Sequence, residues 1–140
     1  MREILFRGKT EAGEWVKGFL FVIGQGSGRE ETYILGDLVC GYSIYDACKI
    51  AEKVLPETVG QFTGRFDRKN FKPIFEGDVV KVLMDHGPIG WVEERVIIDF
   101  NYSCGGYQWD YFDMSTMEVI GNIHDNPDIL REDANERNFI

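Results

Sequence analysis

Polar and apolar positions alternate along most of the chain, with the period of extended strands. Ile4 and Phe6 are flanked by Glu3 and Arg7, Gly8 to Gly13 is polar, and Trp15 to Ile23 is a β-branched and aromatic run. Together they predict an N-terminal β-hairpin. Thr32-Tyr33-Ile34-Leu35 predicts a further strand. One segment has a different period. Ile44, Ala47, Ile50, Ala51 and Val54 recur at helical spacing, Ser43 stands as an N-cap with Asp46 completing a near capping box, and Pro56 stops the run. These predict one short helix from Ser43 to Val54. From Glu57 the strand period returns. It covers Thr58 to Gly64, Val79 to Met84, Tyr107 to Phe112 and Met117 to Ile123, and Pro73-Ile74-Phe75 leads into a tight turn. Gly90 to Asn101 is long enough to be one bent strand or two paired edges. Turns fall at Arg65 to Lys72, Glu76-Gly77-Asp78, Gly87-Pro88 and Cys104-Gly105-Gly106. Short strands divided by glycine turns predict a mainly β chain, either a small barrel or a sandwich.

The length of 140 residues fits one domain. Its organisation reads as hairpin, Gly-rich loop and helix over 1–56, a β-barrel core over 57–127 and an acidic tail over 128–140. Twenty-four Asp and Glu against 15 Lys and Arg give a net charge of −9. The excess is uneven, since residues 110–140 hold eight acids and two bases. Polyanion binding draws its affinity from cations, so nucleic acid is disfavoured over the surface as a whole and a basic partner is admitted. The longest apolar run, Phe19 to Ile23, is far too short to span a bilayer, and the first residues lack the features of a signal peptide. A cytoplasmic, non-membrane protein is expected. Cys40, Cys48 and Cys104 are odd in number without close pairs, and read as reduced thiols that pack as small apolar groups.

Candidate chemistry is sparse. Gly24-Gln25-Gly26-Ser27-Gly28 could be taken for a phosphate loop, but no Lys-Ser or Lys-Thr follows and the next segment is strand-like. Asp85-His86 and His124-Asp125 would offer mixed nitrogen and oxygen ligands if the fold brought them together. Their plain reading is two surface histidines. Ser103-Cys104-Gly105-Gly106 places a thiol beside flexible amides, yet reads as a hairpin turn. Glu93-Glu94 and Asp110 with Asp113 could serve acid–base or metal-assisted chemistry, although chance pairing is expected in so acidic a chain. No catalytic residue, metal ligand or cofactor is assigned. The leading feature is the loop Arg65, Phe66, Arg68, Lys69, Phe71 and Lys72, where cations and aromatic rings interleave around a single acid, Asp67. Such a loop can stack bases and pair phosphates, or bind an acidic protein surface, including the C-terminal region of another copy. The bland alternative is a solvated hairpin tip with both rings folded inward.

Three blocks carry a resemblance. They are Arg2-Glu3-Ile4-Leu5-Phe6-Arg7; then Glu57 to Gly64 with Asp67, Lys69, Asn70, Lys72 and Ile74 to Val80; and finally Glu118 to Pro127. In that order they resemble the phage and prophage YopX family. The resemblance implies a mainly β fold with an SH3-like barrel and a bacterial-host setting, and it carries over no catalytic residue. Family members tend to have Asn-Gly where this chain has Asn70-Phe71. Phe71 resists the left-handed conformation such a turn uses, so either the turn differs or Phe71 is exposed as a contact residue. In Glu76-Gly77-Asp78, Gly77 is expected to take positive φ and Asp78 to bind backbone amides; Gly121 is expected at a bulge or a close backbone approach. The function expected is a phage or prophage non-enzymatic interaction protein that forms a homo-oligomer or binds a host or phage protein. Two alternatives stand beside it: a nucleic-acid-binding or DNA-mimic accessory protein, and a metal-dependent nuclease or hydrolase.

Overall fold

The computed structural model describes residues 3–36, 43, 46, 49–100, 103 and 105–130. The chain is mainly β, and its strands form two antiparallel sheets. It divides into two compact units, residues 1–62 and 63–140.

In the first unit, β1 (Phe6–Lys9) and β2 (Trp15–Ile23) form the expected hairpin, with Phe6 opposite Gly18 and Lys9 opposite Trp15. β2 then pairs with β3 (Glu31–Leu35), and β3 with the two-residue β4 (Glu52–Lys53). On the other side β1 pairs with β5 (Leu55–Phe66). The Gly-rich stretch is the tip between β2 and β3. There the Gly26 amide donates to Glu30 Oε1 at 2.9 Å, so a carboxylate occupies a donor that a phosphate would need. Ile34 and Val54 are buried together against Gly8, where an added Cβ would lie 3.0 Å from both side chains.

The helix is shorter than its periodicity predicts. Asp46, Lys49 and Ile50 are helical, and Ser43 and Asp46 make the reciprocal cap, with the Asp46 amide donating to Ser43 Oγ at 3.2 Å. Glu52 and Lys53 instead pair with Ile34 and Tyr33, and the Val54 amide donates to the Thr32 carbonyl at 2.9 Å. Burying Val54 while completing sheet hydrogen bonds outweighs local helix preference. Ile44, Ala47 and the three cysteines lie outside the described residues.

In the second unit, β6 (Pro73–Phe75) lies beside the last residues of β5, where Thr63 Oγ1 donates to the Ile74 carbonyl at 2.7 Å. A three-stranded sheet follows, ordered β8-β7-β9, from β7 (Asp78–Asp85), β8 (Trp91–Ile97) and β9 (Phe112–Asn122). Ile74, Val80, Val82, Ile98 and Met117 form its core. The Glu76-Gly77-Asp78 turn is built as expected. Gly77 has φ +90, and the buried Asp78 carboxylate accepts from the Phe75 amide at 2.8 Å. Register slips by one residue between Val79–Gly121 and Val80–Val119, so β9 bulges at Ile120. At Gly121, beside this bulge, an added Cβ would lie 2.5 Å from Asn126 Oδ1, so the close neighbour is a side chain rather than backbone.

Two expectations are corrected. The pairings do not confirm the SH3-like barrel, because the sheets do not close. The β8-β7-β9 sheet ends in β8 on one side and β9 on the other, and these two edge strands do not pair with each other. Tyr107 to Phe112 is not a strand of alternating rings: Trp109–Tyr111 is a 3-10 turn, and β9 begins at Phe112. The aromatic side chains there are held by packing. Tyr107, Trp109 and Phe112 all lie against the core. The long stretch from Gly90 supplies one strand that ends at Ile97. Among the described residues no helix is long and apolar enough to cross a membrane.

Candidate functional site

The loop after β5 is organised by the one acid within it. Asp67 is 1% exposed, although it sits among four cations. Its Oδ1 accepts from the Asn70 amide at 2.9 Å and the Lys72 amide at 3.2 Å. Its Oδ2 accepts from the Val119 amide on β9 at 3.0 Å. The Asp67 amide donates to the Lys72 carbonyl at 2.9 Å and closes the loop at its base. The Arg68 amide donates to the Met117 carbonyl at 3.3 Å. The carboxylate and the Arg68 amide thus pair with the open edge of β9, where a neighbouring strand would otherwise stand. Burial pushes the Asp67 carboxyl up. The amides of Val119, Asn70 and Lys72, together with the Lys72 charge, outweigh burial and hold it below its ordinary value.

This clamp presents the six candidate residues in different ways. Phe71 is the one non-glycine residue with positive φ among those described, at +54, and the residue is 76% exposed. Phe66 is 50% exposed. Both line an open depression of ≈310 Å³ with Arg65, Arg68 and Met114. Arg65 lays its guanidinium over the Trp109 ring, 5.2 Å from the centroid. Lys69 Nζ lies 3.2 Å from Glu118 Oε2. Lys72 contributes its charge toward Asp67. Arg68 has no side-chain ion-pair partner among the described residues. The loop therefore brings Arg65, Phe66, Arg68 and Phe71 to one surface and ties Lys69 and Lys72 to acids beside it.

A second hollow was not legible as a site. It has ≈460 Å³ and is lined by Val96, Asp99, Phe100, Tyr107, Trp109 and Phe112, among others. Phe100 meets Tyr107 edge-on at 5.7 Å, and Tyr107 meets Trp109 at 5.4 Å with a 40° tilt. Tyr107 Oη donates to Glu76 Oε2 at 2.9 Å, which fixes the ring in the wall. Read as a strand, Tyr107 to Phe112 would have split its rings between two faces. The usable signal was the run of rings and acids from Asp99 to Asp113, which contains no Lys, Arg or His.

The other candidates are kept apart. The eight residues of β7 separate His86 from the turn where Gly77 approaches His124, roughly 26 Å at about 3.3 Å per residue. The two His–carboxylate pairs cannot share one ion. His86 Nε2 lies 2.9 Å from Glu94 Oε1, a close approach without hydrogen-bond alignment. Asp85 Oδ1 accepts from the Gly87 amide at 2.9 Å, and Asp125 Oδ2 accepts from Asn122 Nδ2 at 3.0 Å. Glu93 pairs with Lys81 at 3.3 Å, whereas its neighbour Glu94 faces the opposite side of β8. Asp113 Oδ1 accepts from the Ser115 amide at 3.1 Å. Among the described residues no group of three or more His, Cys, Asp or Glu is placed to hold a metal.

Fold and site together define a mainly β protein with open antiparallel sheets and a basic, aromatic loop pinned by a buried aspartate. The chain belongs to the YopX family: the model for "YopX protein" matches residues 6–131. No curated protein and no solved structure is matched by the chain.

Proposed function

We propose that this YopX-family chain is a non-enzymatic interaction protein of a phage or prophage, and that it self-associates through the loop Arg65 to Lys72. The observation that carries the reading is Phe71, an aromatic residue at φ +54 that is 76% exposed. A left-handed backbone at a bulky residue costs about 1–2 kcal/mol, and covering such a ring recovers about 1.5–3 kcal/mol. Folding alone leaves both terms unfavourable, and a partner that covers the ring recovers the second. Arg68 and Phe66 lie in the same depression, and Arg with aromatic residues is the composition of protein contact hot spots.

Reversing charge with Arg68→Glu and Lys69→Glu, in one chain, tests the reading. Light scattering over a concentration series and affinity capture from infected host cells are the measurements. Loss of the oligomer or of captured partners is expected. An unchanged oligomer together with unchanged partners overturns the role of the loop.

A further inference from the structure

We propose that the hollow lined by Asp99, Phe100, Tyr107, Trp109 and Phe112 is the receptor for Arg68 and Phe71 of a second copy of this chain. The inference rests on the self-association reading and names the surface that receives the loop.

Charge is the first argument. Residues 65–72 hold four cations and one acid, whereas residues 99–113 hold three acids and no cation. Both segments belong to the second unit, so one copy carries both halves of a complementary pair. A two-fold contact needs that property, because the same patch must serve as donor and receptor on each copy. Each −9 chain repels its partner at long range, but physiological salt screens exposed charges beyond about 8 Å. The contacting groups then decide whether the copies associate.

Ring geometry is the second argument. Phe100, Tyr107 and Trp109 form a tilted aromatic wall with the exposed Asp99 carboxylate at the same hollow. Aromatic faces attract guanidinium groups, most strongly where water is excluded, and a carboxylate supplies bidentate hydrogen bonds to the fork. The chain already shows that this wall accepts such a group, since Arg65 rests on Trp109 at 5.2 Å. Arg65 lines the first depression and Trp109 the second, so the two depressions adjoin across that contact.

The third argument is which loop cation remains for a partner. Arg65 is placed on Trp109, and Lys69 lies 3.2 Å from Glu118. Arg68 has its backbone tied to Met117 and no side-chain ion-pair partner among the described residues. Its backbone is fixed while its guanidinium projects, so less ordering entropy opposes docking. Phe71 lines the same depression and supplies the apolar part of the contact.

Sedimentation equilibrium of the full chain tests this with Arg68→Glu, Asp99→Arg and the double exchange Arg68→Glu with Asp99→Arg. Circular dichroism checks that each variant is folded. Each single reversal is expected to weaken dimerisation by about tenfold or more, and the double exchange to recover most of the loss, as contacting charge pairs do. If Arg68→Glu dissociates the dimer and Asp99→Arg does not, the hollow is not the receptor, and the loop's role survives. A double exchange no better than the singles overturns the pairing. A wild-type chain that stays monomeric up to about 1 mM removes this inference and the self-association reading together. A labelled oligothymidine that binds the monomer and is lost in Arg68→Glu assigns the loop to single-stranded nucleic acid and overturns the proposal as well.

Discussion

Replacing Asp67 by Asn keeps the shape of the side chain and removes its charge. The amide can keep its oxygen toward the Asn70 and Lys72 amides, but its nitrogen then faces the Val119 amide, donor against donor. Leaving that buried N–H unpaired costs about 1–3 kcal/mol, and the two remaining bonds lose their charge-assisted part, about 0.5–1 kcal/mol each. One effect opposes this loss, because a neutral side chain is cheaper to bury. The direction of the Asp67 shift decides between them. Burial raises the carboxyl, yet it ends below its ordinary value, so the amides and the Lys72 charge outweigh burial. The expected net loss is therefore about 2–3 kcal/mol, measured by urea unfolding at neutral pH. The pH dependence has a fixed sign. A carboxyl depressed by folding contributes its stability above the unfolded value, near 3.8, and loses it as pH falls through the lower folded value. The gap between wild type and Asp67→Asn should therefore close on acidification over that range. Hydrogen exchange should speed up at the Val119, Asn70 and Lys72 amides before it does elsewhere. A loss below about 0.5 kcal/mol, or a gap independent of pH, refutes the clamp.

Phe71→Gly removes the steric cost at φ +54 and should raise stability by about 0.5–1 kcal/mol while weakening self-association; unfolding curves and light scattering report the two effects separately. Gly77→Ala places a Cβ at φ +90, in a turn whose flanking Asp78 is buried, and should cost about 1–2 kcal/mol in urea unfolding. In the first unit, Tyr33 Oη donates to Glu31 Oε2 at 2.6 Å. That hydrogen bond, then burial and the Glu31 charge, hold the phenol above its ordinary value. Glu31→Gln should lower the Tyr33 titration toward 10.0, read by ultraviolet absorbance against the wild type.

Most strands were legible because their alternation answers directly to one buried face. β2 spans Trp15–Ile23, as its β-branched and aromatic run predicts. The Glu76-Gly77-Asp78 turn was legible from turn chemistry alone, since only glycine accepts φ +90 cheaply and a short acid can reach back to the Phe75 amide. The end of the helix was not. Val54 fits helical spacing equally well, and only the neighbourhood of Ile34 and Gly8 shows that it completes a sheet core. Sheet closure was not legible either, because strand number and spacing are the same for open and closed arrangements. For the candidate site, composition found the basic and aromatic residues and missed what organises them. Asp67 reads as a minor offset to four cations, and its role follows from the β9 edge, 52 residues away in sequence at Val119.

The departures from local expectation cluster on this same surface. An aromatic residue holds a position where glycine would be less strained, and a run of alternating rings declines to form a strand. Sequences that specify one fold keep local preference and global structure in agreement, and they break that agreement where something besides folding is selected. A loop needed only to join β5 to β6 would be cheaper with glycine at 71. A segment needed only to reach β9 would not require four of its rings to line an open hollow beside Asp99. The two departures also carry opposite charge. Folding by itself gives no reason for the strained, exposed ring to stand in the cationic segment and for the ring-lined hollow to stand in the anionic one, whereas a contact between two copies requires that arrangement.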